Sequence, residues 1–223
     1  MAGLKTAVLL SGRGTNLGAL IDECAGDGAP AEIVGVVSNV PGAAGLQRAE
    51  AAGIETRVID HKGYPDRGSF EDDIHQCLQG LEAELVCLAG FMRILTAGFV
   101  ARWHDRLINV HPSLLPAYRG LDTHARVLAD GARFTGCTVH FVRAEMDAGP
   151  IIVRAAVPVH PGDDAERLAQ RVLAAVHRIY PLALRLIAAG RVSVRDEVVS
   201  IDGASVPETA LFNPADDTDG GDE

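Results

Sequence analysis

Short apolar runs alternate with segments of helical periodicity along most of the chain. Between residues 17 and 24, leucine, isoleucine and cysteine recur at i, i+3, i+4 and i+7, on one face of a helix. Further helices are predicted over residues 45–52 and around the stripe 70–81, the second with Ser69 as its cap. The runs that predict β-strands are residues 6–10, 32–37, 55–59, 84–89 and 106–110. Strands that alternate with helices indicate right-handed βαβ units, and therefore an α/β fold with a mostly parallel central sheet flanked by helices.

The pattern changes in the second half of the chain. Two β-like runs, residues 136–142 and 151–159, are joined by a connection too short for a helical crossover, so we expect them to pair as late antiparallel strands. A long helical pattern then extends from residue 164 to about residue 189. Pro181 is expected to end or kink that helix, because proline lacks the N–H that the helix requires.

The end of the chain differs in composition. Residues 191–205, with Asp202-Gly203 inside them, predict a terminal β-hairpin. Residues 213–223 carry five acids, no base and no bulky apolar side chain, which predicts a disordered acidic tail. Because neither an internal repeat nor an interdomain linker interrupts the preceding sequence, residues 1–205 are predicted to form a single domain.

Charge argues against one class of partner. The 223 residues include 20 Lys and Arg against 30 Asp and Glu, a formal net charge of −10, and half of that charge lies in the predicted tail. A general nucleic-acid binder neutralises phosphates with clustered Lys and Arg, so we expect no nucleic acid as partner. A small anionic ligand remains possible, because a few backbone amides can bind a phosphate whatever the net charge.

Targeting and redox signals favour the cytoplasm. The apolar run near the start gives way to Ser11-Gly-Arg-Gly14 before it reaches the length of a signal peptide. No stretch approaches the roughly 18 apolar residues that a membrane span needs, so no membrane partner is expected. The cysteines at positions 24, 77, 87 and 137 form no C-x-x-C pair and no cluster with histidines, which predicts reduced thiols acting as small buried hydrophobic residues, and no metal site.

A glycine-rich turn lies where the first strand meets the first helix, at residues 11–16 (SGRGTN). Such a turn lets the backbone approach an anion, and the free amides of the helix favour negative charge. An ordinary βα turn with Thr15 as helix cap fits the spacing equally well. A dinucleotide fingerprint does not fit, because Leu17 stands where its third glycine is required and the second strand ends at Ser38-Asn39 without an acid.

Candidate catalytic residues lie at the carboxyl end of the last predicted parallel strand and in a later loop. Asn109 and His111 point to the same side of that strand at its carboxyl end, the edge at which open parallel sheets bind ligands. Asp147 lies in the loop between the two late strands, and a nearby carboxylate would favour the charged form of the histidine. The trio suits a reaction with an oxyanion and a proton to move: Asn109 as donor to the oxyanion, His111 as general acid or electrostatic partner, Asp147 as the group that orients it. Roles in the fold alone also fit these residues, with His111 as a structural histidine and Asp147 as a turn former.

Six motifs resemble those of a known family. They are VLLSGRGTN (8–16), LAGFMRIL (88–95), INVHPSLLP (108–116), GLDTH (120–124), GCTVHFV (136–142) and MDAGPI (146–151). With these motifs and similar lengths between them over about residues 5–195, the chain is similar to the folate-dependent phosphoribosylglycinamide formyltransferases of purine biosynthesis. The resemblance implies a Rossmann-like formyltransferase fold. It also implies transfer of a formyl group from 10-formyltetrahydrofolate to the amine of glycinamide ribonucleotide, giving formylglycinamide ribonucleotide and tetrahydrofolate.

The resemblance assigns roles to individual residues. Asn109, His111 and Asp147 match the catalytic trio of the family, and His140 matches a histidine of the active-site surround. The loop that holds the phosphate of the acceptor is matched by Gly14, Thr15 and Asn16. The folate pocket is matched by Arg67, Met92, Arg93, Ile94, Leu95, Asn109, Arg143, Ala144, Glu145, Met146 and Asp147. The implied chemistry needs no metal and no tightly bound cofactor, since 10-formyltetrahydrofolate acts as a co-substrate.

Two positions depart from the family pattern. Val176 stands before His177 where the family usually has a glutamate that helps to hold the acceptor, and Asp122 stands in GLDTH where histidine is usual. Val176 continues the apolar face of its helix, which favours a place in the core. Both departures put the affinity for the acceptor, and its identity, in doubt.

Other functions are compatible with parts of this pattern. A formyltetrahydrofolate hydrolase shares the catalytic motifs, but the known type carries an additional N-terminal domain. A formyltransferase for another amine acceptor also fits, although one acting on initiator tRNA would need a basic C-terminal domain. A nucleotide-binding module without catalysis does not explain the trio. Small-molecule substrates are the expected partners, and the sequence leaves both a monomer and a homodimer open.

Overall fold

The computed structural model describes residues 3–26, 28–205 and 207–214. Its strands are β1 (Leu4–Leu10), β2 (Ala31–Ser38), β3 (Thr56–Val58), β4 (Leu85–Leu88), β5 (Leu107–His111), β6 (Phe134–Phe141), β7 (Ile151–Pro158), β8 (Val192–Arg195) and β9 (Val198–Ile201). Its helices are α1 (Thr15–Glu23), α2 (Ala44–Ala51), α3 (Arg67–Gly80), α4 (Ala97–Arg102), α5 (Thr123–Ala129) and α6 (Ala165–Ala188).

Seven strands form the central sheet, in the order β3-β2-β1-β4-β5-β6-β7. The pairings from β3 to β5 are parallel, and β6 and β7 are antiparallel to their neighbours. This confirms the predicted α/β fold, a mostly parallel sheet with late antiparallel strands. The sheet order places β4 directly beside β5, with Leu88 as the register partner of Asn109.

Alternation along β1 divides the core between the two faces of the sheet. Val8 and Leu10 pack with α1, α2, α5 and α6, whereas Ala7 and Leu9 pack with α3 and α4. Because successive strand residues point to opposite faces, a strand buried on both sides reads as a continuous apolar run. The helices therefore cover both faces of the sheet and leave the strand ends and their loops to form a site.

Three local predictions need correction. Asp66, not Ser69, caps α3: its carboxylate accepts a hydrogen bond from the Ser69 N–H at 2.8 Å. Helix α6 does not end at Pro181 but continues through it, because the residues around it are buried and Tyr180 donates to the Leu88 carbonyl at 3.0 Å, which holds the helix on the sheet. Gly14, in a left-handed conformation, occupies the cap position of α1, and Thr15 is already helical.

The terminal hairpin forms, but its turn lies elsewhere than at Asp202-Gly203. Strands β8 and β9 pair through Arg195 and Val198, so the turn is Asp196-Glu197, whose φ angles of 51° and 60° are those of a tight two-residue hairpin turn. Asp202-Gly203 follows β9. Of the predicted tail over residues 213–223, the part from 215 onward lies outside the described residues.

The cysteines fit the prediction only in part. All four are free thiols; Cys87 and Cys137 are buried, whereas Cys24 and Cys77 are only half-buried. Among the helices that the structure describes, none combines the length and the apolar character needed to cross a membrane.

Candidate active site

Asn109 and His140 lie side by side on adjacent strands. They are register partners across β5 and β6, and the Asn109 Nδ2 lies 3.4 Å from the His140 Nε2. The other ring nitrogen, Nδ1, is 2.9 Å from the Phe141 carbonyl oxygen and therefore carries the proton. Nε2 is then an acceptor, which turns the Asn109 amide so that its NH₂ group faces His140 and keeps a second N–H for a ligand.

Burial keeps His140 neutral. The side chain is 2% exposed, and this desolvation lowers its pKa below the usual 6.5. The hydrogen bond to the Phe141 carbonyl and the charge of Asp147 act in the opposite direction but are smaller. A neutral ring is the form that can accept from the Asn109 amide, so the protonation state and the geometry agree.

His111 has an oxygen acceptor at each ring nitrogen. Nε2 lies 2.9 Å from the Tyr118 carbonyl oxygen, and Nδ1 lies 3.3 Å from an Asp147 carboxylate oxygen. A doubly protonated ring donates to both oxygens at once. The contact between Nδ1 and Asp147 is the longer of the two, and together the two contacts fix the orientation of the ring.

Asp147 joins the two histidines. Its carboxylate accepts from the Gly120 N–H at 2.9 Å, contacts His111, and lies 3.8 Å from the His140 Nε2. The backbone at Asp147 is left-handed, with φ of 53°, a conformation that aspartate tolerates better than most residues. The three predicted residues Asn109, His111 and Asp147 are thus brought together, with His140 between them.

The loop before α1 presents free amides. Gly14 has φ of 70°, and a Cβ on it would lie 2.5 Å from the Gly45 Cα, so both the conformation and the close approach of α2 require glycine. Among the residues that the structure describes, no side chain caps α1, and the first helical hydrogen bond runs from the Gly18 N–H to the Gly14 carbonyl. The amides of Thr15 and Asn16 are therefore available at the positive end of the helix dipole.

Ser11 connects this loop to the ends of β2 and β4. Its hydroxyl donates to the Asn39 side-chain oxygen at 2.5 Å and accepts from the Met92 N–H at 2.8 Å. The Ser11 N–H donates to the Gly90 carbonyl at 3.1 Å. The glycine-rich turn and the segment after β4 consequently form one hydrogen-bonded unit at the carboxyl edge of the parallel strands.

The segment after β4 exposes apolar side chains. Met92 is 70% exposed and Ile94 61%, whereas Leu95 is buried in the core and Arg93 is half-buried. Arg67 is exposed at the first residue of α3. The segment is anchored from below by the buried Glu71 carboxylate, which accepts from both the N–H and the hydroxyl of Thr96.

The loop that carries Asp147 exposes some of its predicted residues and pairs others. Ala144 and Met146 are exposed, and the Met146 methyl lies near Gly120. Glu145 forms an ion pair with Arg119 at 2.6 Å. The Arg143 guanidinium is only 14% exposed and is bound by two carboxylates, Asp105 and Glu197.

Sequence reasoning missed three groups around His111 and Asp147. The Tyr118 carbonyl and the Gly120 N–H are main-chain groups, which no residue letter marks. His124, at the start of α5, has a buried Nδ1 without a partner among the described residues. Burial, and secondarily the charge of His111, lowers the pKa of His124. The GLDTH motif was the available signal for it.

The two departures from the family pattern have different surroundings. Val176 is 4% exposed and packs in the core with its neighbours on α6. Asp122 is exposed and precedes α5 without a side-chain cap. A cleft of about 730 Å³ lies between α1 and α6, and Thr15, Arg48, His177 and Arg178 are among its lining residues. Asp22 and Glu23 also line this cleft, and at Thr15 it adjoins the glycine-rich turn.

Comparisons with known proteins agree with this geometry. The formyl transferase family matches residues 4–184. The phosphoribosylglycinamide formyltransferase of Haemophilus influenzae is 40% identical over 209 residues, which cover 94% of this chain and 99% of that protein. The crystal structure of glycinamide ribonucleotide transformylase 1 from Symbiobacterium toebii superposes with a TM-score of 0.87 at 44% identity, covering 89% of this chain and 94% of that one.

A longer animal protein shares the same region. The trifunctional purine biosynthetic protein adenosine-3 of Gallus gallus is 53% identical over 86% of this chain. The chain spans about a fifth of that relative, since the match covers 19% of its length. Sequence, fold and site point the same way: the chain belongs to the formyl transferase family, among its phosphoribosylglycinamide formyltransferases.

Proposed function

We propose that this protein transfers the formyl group of 10-formyltetrahydrofolate to the amine of glycinamide ribonucleotide. The products are formylglycinamide ribonucleotide and tetrahydrofolate, in the synthesis of purines. The observation that carries the proposal is the convergence of Asn109, His111 and Asp147 around one point of the sheet, with a neutral His140 holding the Asn109 amide. Relatives named phosphoribosylglycinamide formyltransferase or glycinamide ribonucleotide transformylase match nearly the whole chain.

The site chemistry follows from the donors present. The acceptor amine attacks the formyl carbon, and the carbonyl oxygen becomes an oxyanion. The free Asn109 N–H and the imidazole of His111 stabilise this charge, while Asp147, whose carboxylate lies 3.3 Å from the His111 Nδ1, orients that ring. Collapse breaks the bond between that carbon and the folate nitrogen, which takes up a proton as the amine loses one.

The two substrates occupy different parts of the proposed site. The phosphate of the acceptor binds the amides of Gly14, Thr15 and Asn16, because no side chain in the described part of the protein caps this helix start. The folate lies along the segment after β4 and the loop that carries Asp147. The residues proposed to line its pocket are Arg67, Met92, Arg93, Ile94, Leu95, Asn109, Ala144, Glu145, Met146 and Asp147.

The location and the assembly are part of the same proposal. Four free cysteines suit a reducing compartment, so we place the reaction in the cytoplasm. Each residue proposed for catalysis comes from one chain, so the chemistry is compatible with a monomer or a homodimer.

Acceptor dependence tests the proposal. We expect the purified protein to consume 10-formyltetrahydrofolate, followed by absorbance, only when glycinamide ribonucleotide is present, and the variant H111N to be nearly inactive. Equal consumption without any amine would identify a hydrolase instead. Consumption that depends on a different amine would show that the acceptor is wrong.

A further inference from the structure

Arg143 is tied to two distant parts of the chain. Its Nε donates to a Glu197 carboxylate oxygen at 2.7 Å, and its Nη2 donates to the other oxygen at 3.2 Å. The same Nη2 donates to Asp105 at 2.7 Å, and Nη1 donates to the Val142 carbonyl at 3.2 Å. Every nitrogen of the guanidinium is therefore engaged within the protein, and the group is 14% exposed.

Both carboxylates are presented by tight turns. Asp105 lies two residues before β5 and has φ of 54°, and Glu197 lies in the β8–β9 turn with φ of 60°. Each carboxylate is therefore placed by its own turn and bound by the same guanidinium. A two-oxygen Arg–carboxylate pair is among the strongest and most directional contacts available.

The position of Arg143 connects this cluster to the chemistry. It is the second residue after β6 and opens the loop that carries Asp147, four residues later. The loop closes at Gly149, where a Cβ would lie 1.8 Å from the Phe141 carbonyl oxygen, so its far end is also fixed against β6. With both ends fixed, the short loop between them has little freedom, and the Asp147 carboxylate is kept facing His111.

We propose that Arg143 is a positioning residue: by binding Glu197 of the terminal hairpin and Asp105 ahead of β5, it sets Asp147 against His111. The inference rests on the proposed function. It differs from the role that the family resemblance implies, since a guanidinium saturated by its own carboxylates is not available to a folate. The hairpin β8–β9 thereby becomes part of the catalytic support.

The test uses the full-length protein and three variants of the cluster, E197Q, D105N and R143K. E197Q and D105N keep the shape of the side chain but remove its charge, whereas R143K keeps the charge but loses the planar group that binds two oxygens. We expect kcat to fall about 10-fold or more, because a small misplacement of a catalytic group is costly, with the KM for 10-formyltetrahydrofolate unchanged. The matched control is D163N, which weakens another two-oxygen pair, that of Asp163 in the β7–α6 loop with Arg171 of α6.

A double-mutant cycle makes the test specific to Asp147. In the D147N background, E197Q should have almost no further effect on kcat, because the group that it positions is already impaired. An unchanged kcat in E197Q and R143K would overturn the inference, and so would a loss in D163N as large as theirs. A rise in folate KM alone would make Arg143 a folate contact instead. Lack of acceptor-dependent activity in the unmodified protein would refute the proposed function, a separate outcome.

Discussion

The Asn109 amide is held by the neutral ring of His140, with 3.4 Å between Nδ2 and Nε2 across the β5–β6 ladder. This one contact decides which way the amide points. Because the Phe141 carbonyl fixes the His140 tautomer, the second N–H of Asn109 is directed by the protein before any substrate binds. Such preorganisation is what makes a donor effective toward an oxyanion.

Removing that donor should therefore affect turnover. We predict that N109A lowers kcat by about 10²- to 10³-fold, the usual cost of one oxyanion donor, with a small change in either KM. Steady-state kinetics with both substrates measure how the loss is divided between kcat and the two KM values. If the loss appeared in KM alone, Asn109 would be a binding residue and the assigned role would be wrong.

The buried histidine should make stability depend on pH. Because the pKa of His140 is lowered in the folded protein, the unfolded chain binds more protons below pH 6.5, and stability is lost as the pH falls from there to the folded pKa. We predict a lower free energy of unfolding at pH 5.5 than at pH 7.5, measured in urea, and a smaller difference in H140Q. The variant H104Q, which removes an exposed histidine, is the control, and its change of slope is the reference for that of H140Q. A slope that H140Q leaves intact would contradict the assignment.

The main elements were accessible from the sequence, because the strands are buried on both faces and their apolar runs are unmistakable. Helices α4 and α5 were not predicted, since six or seven residues are too few to establish a period. The hairpin was placed correctly but its turn was not, because Asp202-Gly203 is the stronger turn signal while the register of β8 with β9 decides the outcome.

From the sequence, the candidate site could be predicted only as a set of side chains. Asn109, His111 and Asp147 could be named, and the structure brings them together. The Tyr118 carbonyl and the pairing of Arg143 with Glu197, 54 residues away, depend on backbone course and tertiary contacts, which periodicity does not encode.

Restoring the family glutamate at position 176 should harm the fold. Val176 is 4% exposed and surrounded by apolar side chains, so V176E places an unpaired carboxylate in the core. We predict a loss of about 1–3 kcal/mol in the free energy of unfolding, measured in urea. The matched control V176L keeps the site apolar and should lose less. A stable V176E with a lower KM for the acceptor would show that position 176 faces the substrate.

The glycine-rich turn can be tested with a pair of glycines in the same conformation. Gly14 and Gly42 both have φ of 70°, but a Cβ would meet Gly45 at 2.5 Å in the first case, whereas in the second no described atom lies within 4 Å. We predict that G42A costs about 1–2 kcal/mol of stability for its backbone strain alone and leaves the acceptor KM unchanged. G14A should lose more stability and raise the acceptor KM. If both variants changed the stability and the acceptor KM by the same amounts, the proposed phosphate site would not lie in this loop.

The destination of the formyl carbon tests the central claim most directly. With ¹³C-formyl-labelled 10-formyltetrahydrofolate and glycinamide ribonucleotide, NMR of the reaction mixture reports where the label goes. Transfer through Asn109, His111 and Asp147 predicts that the label appears in the formamide of the ribonucleotide, at a rate that H111N abolishes. Label recovered as free formate at the same rate, with or without the ribonucleotide, would contradict the account.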